Sequence, residues 1–267
     1  MPRQPAAART FRIAALALAL AALSASLPLA AQSVPTRLCF NESLGPPDGA
    51  HPSLELMRGV QRAVPEAAIA LVPVPWRRCV LGASRGDFDG SVGASFTPER
   101  GLALVYPRNA DGEPDSARRM FSLSYRVLRR IDGPLRWDGV GFFGIDGAIG
   151  VERGHATGTL VAERGALADD SHPDVDALLA KVRAGRLAGA LLAEPLVASL
   201  AARDGGLDGL QVEGPPMAPR DYHLAFSRGF AAAHPALVDR LWDAVAEERE
   251  ARTPPALRDA SVAPPSP

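Results

Sequence analysis

One stretch limits the possible folds more than any other: Gly86-Asp87-Phe88-Asp89-Gly90-Ser91-Val92-Gly93-Ala94-Ser95-Phe96-Thr97-Pro98-Glu99-Arg100. It reads as a strand that opens into a polar turn, with Phe88, Val92 and Phe96 as its apolar positions. Gly90 and Gly93 carry no Cβ, so another backbone or a small ligand can come close there. Thr97 is placed to cap a following helix, with Pro98 at its first position and Glu99 in its first turn. Arg100 then projects beside the N–H groups that a helix start leaves unpaired. Free amides and a guanidinium fork converging on one point suit a carboxylate, which is a binding chemistry and not a catalytic one.

Gly-Asp-x-Asp-Gly followed by Gly93-x-Ser95-x-Thr97-Pro98-Glu99-Arg100 resembles the first-lobe signature of the family 3 extracellular solute-binding proteins, the periplasmic amino-acid receptors of ABC importers. The resemblance implies an α/β fold of two lobes joined by two crossing strands, the type II or Venus-flytrap periplasmic-binding-protein architecture. It also implies that Arg100 holds a ligand carboxylate, that Ser95 adds a hydroxyl and that Gly93 lies beside the ligand.

The ends of the chain read differently from its middle. Arg3, Arg9 and Arg12 precede the apolar run from Ile13 to Leu23, and small residues follow through Ala30 and Ala31. That is the layout of a secretory signal peptide over 1–31, with cleavage near Ala31-Gln32, and it predicts a periplasmic mature protein. As a membrane anchor the run is short, rich in Ala and broken by Ser24, Ser26 and Pro28. Residues 253–267, rich in Pro, Ala and Ser, read as a disordered tail. The formal net charge of -1 gives no reason to invoke nucleic acid. In an exported chain the two cysteines, Cys39 and Cys79, predict one disulfide.

Strands are expected at 37–40 and 69–74, separated by a helix from Pro52 to Val64 with Leu54, Met57, Val60 and Val64 on one face. Strand, helix, strand is a parallel unit with a right-handed crossover. The intervening loop, 41–50, matches one that contributes to the family's pocket; Asn41, Glu42 and Leu44 are open candidates there. A second helix starts near Trp76, and the spacing from Trp76 to Asp89 resembles that between a pocket-wall residue and the motif strand. Trp76 is read as a ligand-stacking residue or, equally, as core packing.

Residues 120–130 resemble the first crossing between lobes, and Ile145 to Thr157 the start of the second lobe, where a helix N-terminus faces the cleft. His155 and Thr157 are candidate ligand contacts on that resemblance. No Ser, Cys or carboxylate pattern completes a catalytic set around His155, and the five histidines have no metal-ligand spacing, so no cofactor or metal is expected. A helix is expected over 174–184, then a strand ending at Ala193. Amino-acid-binding members place an Asp at that end to hold the ligand's ammonium, and Ala193 stands there with Glu194 beside it. Adjacent strand residues face opposite ways, so a carboxylate site is better supported than an amine site. Residues 222–227 resemble the returning crossing strand and 235–245 a closing helix.

These elements predict lobe 1 from 34–124 plus 224–252 and lobe 2 from 125–223. The expected function is capture of a small carboxylate-bearing solute, an amino acid or related organic acid, by a monomer that delivers it to an inner-membrane ABC permease. Two other readings stand beside it: a periplasmic enzyme of the prephenate or arogenate dehydratase type on the same fold, and a sensory receptor domain without transport.

Overall fold

The structure is a computed structural model that describes residues 33–253. The expected signal peptide and all of the Pro-rich tail beyond Thr253 lie outside these residues. Among the described residues, no helix is long and apolar enough to cross a membrane.

The first parallel unit forms as the periodicity predicts. Strand β1 (Thr36–Asn41) is followed by helix α1 (Pro52–Ala63) and strand β2 (Ile69–Val74), and β2 pairs parallel to β1 from Thr36 against Ile69. Pro52 occupies the first turn of α1, and the side chain of His51 caps it by accepting from the Ser53 N–H. Helix α2 (Trp76–Arg85) then leads to β3 (Gly90–Ser95), which lies on the other side of β1. Cys39 on β1 and Cys79 on α2 form the expected disulfide, with their Cα atoms 5.5 Å apart.

After helix α3 (Pro98–Ala103) and the short strand β4 (Leu104–Val105), the long strand β5 (Phe121–Arg130) leaves this half of the molecule. A small hairpin follows, β6 (Arg136–Trp137) with β7 (Phe142–Phe143). The remaining elements are β8 (Ile149–Gly150), α4 (Thr157–Ala162), β9 (Ala168–Asp169), α5 (Val175–Arg183), β10 (Gly189–Ala193) and α6 (Glu194–Ala201). Strand β11 (Leu210–Ser227), α7 (Arg228–Ala233) and α8 (Pro235–Arg252) complete the chain.

Apart from the separate β6–β7 hairpin, the strands join in one curled sheet ordered β2-β1-β3-β11-β5-β10-β8-β9, with β4 pairing on β11. β5 and β11 carry the sheet from one half to the other, side by side and antiparallel. β11 runs unbroken through Pro215, Pro216 and Pro219, a longer strand than the sequence suggested. Its pairing shifts register between Glu213 and Met217 and again between Met217 and Arg220, because prolines cannot donate to the ladder and are accommodated as bulges.

Both faces of the sheet are covered. Leu38 and Phe40 of β1 enter a core with Leu54, Met57, Leu241 and Trp242, while Cys39 between them enters another with Trp76 and Tyr106. The far half repeats the pattern, with Val127 and Leu191 in one core and Leu128, Ala190 and Leu192 in the other. Helix α8 continues to Arg252, past the expected end at 245, because 246–252 are strong helix formers and Glu248 pairs with Arg252 at 3.0 Å.

Candidate functional site

The motif stretch folds largely as its residues dictate. Gly90 lets β11 approach: a Cβ there would sit 2.6 Å from the Ala225 carbonyl oxygen. Gly93 adopts φ +75° and turns an open backbone toward Phe121. Thr97 caps α3 by accepting from the Arg100 N–H at 3.1 Å. The guanidinium of Arg100 folds back so that Nη1 donates to the Ser95 carbonyl at 2.9 Å and to Ser95 Oγ at 3.3 Å. Its Nη2 donates to the carbonyl of Gly154, also at 2.9 Å, which belongs to the other half of the molecule.

Between the halves lies a cavity of about 860 Å³. Trp76, Gly93, Ser95, Arg100 and His155 all line it, so the structure brings together five of the six residues singled out in the sequence. Asn41, Ser43 and Leu44 supply the loop wall that the sequence left open, and Glu42 does not take part. A second cavity of about 340 Å³, lined by Arg77, Glu99 and Gly154 among others, adjoins it, and Arg100, His155 and Ala156 line both.

Thr157 is the exception. Its side chain is buried, its hydroxyl has no hydrogen-bond partner, and it lines neither cavity. The expected anion site at a helix start is likewise corrected: α4 begins only at Thr157 and is one and a half turns long. The amides before it are already used, His155 N–H by the Glu152 carbonyl at 3.1 Å and Gly154 N–H by Asp170 Oδ2 at 3.3 Å. Gly154, at φ +73°, therefore turns its carbonyl and not its amide toward Arg100.

Trp76 combines the two roles weighed for it. Its ring is buried in the core beneath α2, yet it lines the cavity with Arg100 over its face at 5.8 Å and His155 edge-on at 5.9 Å. Burial pulls the His155 pKa below its ordinary value; the nearby Arg100 pulls the same way and Glu152 opposes. Tyr125 and Tyr222, absent from the sequence-based candidates, hydrogen-bond to each other in the cavity wall, and burial pushes both pKa values up. Only pairing between β5 and β11 brings these two tyrosines together; nothing in their local sequence signals it. Glu152, likewise absent from the sequence-based candidates, lines the cavity from within the segment Ile145 to Thr157. Ala193 ends β10 and lines the cavity, whereas Glu194 begins α6, lines neither cavity and sits 3.7 Å from Arg126.

Similarity to solved structures settles the architecture. The ligand-binding core of GluR0 from Nostoc punctiforme, solved with L-glutamate, matches with a TM-score of 0.59 at 13% identity, over 86% of this chain and 100% of that one. This is a two-lobe, type II periplasmic-binding-protein fold. A periplasmic His/Glu/Gln/Arg/opine family-binding protein from Silicibacter pomeroyi, in complex with lysine, gives 0.58 at 16% identity over 81% and 91% of the two chains. An amino-acid ABC transporter substrate-binding protein from Streptococcus pneumoniae, bound to L-arginine, gives 0.57 at 13% over 85% and 90%. No family model matches the chain, and no curated protein matches it by sequence. At these identities the likeness carries the fold and leaves the site to be argued from its own residues.

Proposed function

We propose that this protein is a periplasmic solute-binding protein that captures a small carboxylate-bearing solute, an amino acid or related organic acid, and passes it to an ABC permease. The observation that carries the reading is Arg100, held by Ser95 on one wall of a cavity between two halves and reaching Gly154 on the other. A guanidinium has five N–H donors in a planar fork, and Nε of Arg100 has no partner among the described residues, so donors remain for a carboxylate.

Lobe 1 comprises 34–124 and 224–252, and lobe 2 comprises 125–223, with β5 and β11 as the hinge strands. A ligand touching both lobes only when they are closed shifts the open-closed equilibrium by its differential affinity for the two states. The leader over 1–31 directs export, and the mature monomer works outside the inner membrane. The neighbours named above bind amino acids, which supports the class of solute. A thermal-shift screen of amino acids and small organic acids on the exported protein tests this. Stabilisation by at least one carboxylate compound, lost on esterification of that carboxylate, is the expected result; no response across the panel would sink the reading.

A further inference from the structure

Glu152 is the only acidic residue among those lining the large cavity. Its side chain is 26% exposed, and among the described residues the one charge-bearing group within ion-pair range is Nδ1 of His155, at 3.9 Å. Burial favours the neutral imidazole, so at neutral pH the carboxylate faces the cavity without a cationic partner. Arg100 does not pair with it either; that guanidinium is engaged by Ser95 and Gly154. Both groups nonetheless flank His155: Glu152 Oε2 lies 3.9 Å from its Nδ1, Arg100 meets the carbonyl of the preceding residue, Gly154, at 2.9 Å, and all three side chains line the cavity. A positive and a negative group flanking one residue complement a ligand whose carboxylate and ammonium share one carbon.

The remaining walls have a different character. Leu44, Leu56, Val92, Met120, Phe121 and Leu196 surround most of the space. Arg249 also reaches the cavity, but its guanidinium donates to the carbonyls of Ala117 and Arg119, and Arg252 pairs with Glu248. A volume of about 860 Å³ is toward the upper end of the roughly 300–1,000 Å³ that small-molecule sites span, so a bulky side chain has room.

We propose that Glu152 takes the protonated amine of the ligand whose carboxylate Arg100 holds, and that the apolar walls take a hydrophobic side chain. The proposal rests on the solute-binding reading above and replaces the missing acid at Ala193, at the end of β10, with one just past the neighbouring parallel strand β8.

Isothermal titration of the exported chain with matched pairs tests it: L-phenylalanine against 3-phenylpropanoate, and L-leucine against 4-methylpentanoate, with L-glutamate as the polar comparison. Each apolar amino acid should bind about tenfold or more tightly than its amine-free partner, the size of one charge-assisted hydrogen bond. Glu152→Gln should bring that ratio near unity by weakening the amino acids, with the amine-free acids binding no more weakly than to wild type, and Glu152→Asp should keep part of it. Amine-free acids binding as tightly as their partners, an unchanged ratio in Glu152→Gln, or L-glutamate binding most tightly would each overturn the assignment and leave the carboxylate receptor standing. If no panel member binds, both fall. Should Glu152→Gln fail to fold, the wild-type pairs still decide.

Discussion

Arg100 of α3 donates to the carbonyl of Gly154, beyond β8, at 2.9 Å, across 54 residues of sequence. One side chain therefore ties two walls of the cavity, and on the proposed reading it also offers the donors for a carboxylate. Arg100→Ala should weaken a carboxylate ligand by roughly 2 to 5 kcal/mol, because the ligand's charge is left unpaired in a closed cavity. Arg100→Lys should recover only part, since an ammonium cannot reproduce the fork. Titration calorimetry measures both; equal affinities in wild type and Arg100→Ala would remove Arg100 from the site.

Gly154 should be as sensitive as Arg100 for a different reason. Its φ of +73° costs an alanine about 1–2 kcal/mol, and the added Cβ would lie 3.0 Å from Arg77 Cβ and 3.2 Å from Arg77 Cα. Arg77 belongs to α2, so the Gly154 turn or that helix must give by a few tenths of an ångström to relieve the contact, which loosens the Arg100–Gly154 hydrogen bond. Gly154→Ala should lower both ligand affinity in titration calorimetry and the melting temperature of the ligand-free protein. Unchanged values of both would contradict this coupling.

Ligand binding should be visible in tryptophan fluorescence, and Trp76 should be the reporter. Trp137 and Trp242 are locked in cores by hydrogen bonds from Nε1 to Pro215 and Leu224 carbonyls, at 3.0 and 2.8 Å. Trp76 alone of the three lines the cavity. The signal change should largely vanish in Trp76→Phe; if it persists, the cleft does not close on this ring.

Reduction of the Cys39–Cys79 bond should destabilise the folded chain by about 4 kcal/mol in the chain-entropy account of a loop of this length. Both sulfurs are fully buried, so the bond should resist reductant until the protein unfolds. Chemical denaturation with and without reductant, followed by mass analysis of alkylated thiols, measures this. Two thiols labelled in the native protein would refute the pairing.

Acid should destabilise the protein through its histidines. Burial lowers the pKa of His51, His155 and His223 below the ordinary 6.5, so the unfolded chain binds more protons than the folded one as pH falls. Their contribution is fully present above about pH 6.5 and is lost as pH drops through the lowered folded values. His51 also caps α1 as an acceptor, which protonation abolishes. His51→Asn keeps the cap and removes the titration, so its melting temperature should fall less between pH 7 and 5 than that of wild type. An identical fall in both would discharge His51 from this role.

Much of this protein is decided locally, and the sequence alone determines it. Periodicity fixes α1 and its buried face, Thr97-Pro98 sets the start of α3, and the glycines of the motif strand mark where backbone or cavity comes close. The even cysteine pair likewise needs no fold to be read. The site is another matter, because its members meet only through long-range pairing. Tyr125 and Tyr222 come together because β5 lies against β11, and Glu152 reaches the cavity because of where β8 ends. The turn at Gly154 shows the limit most plainly: its segment reads as a helix start offering amides, yet neighbouring groups consume those amides and leave a carbonyl facing Arg100. Hydrogen-bond partners that arrive from distant residues are invisible to local pattern, so only the tertiary structure decides which backbone group faces the cleft.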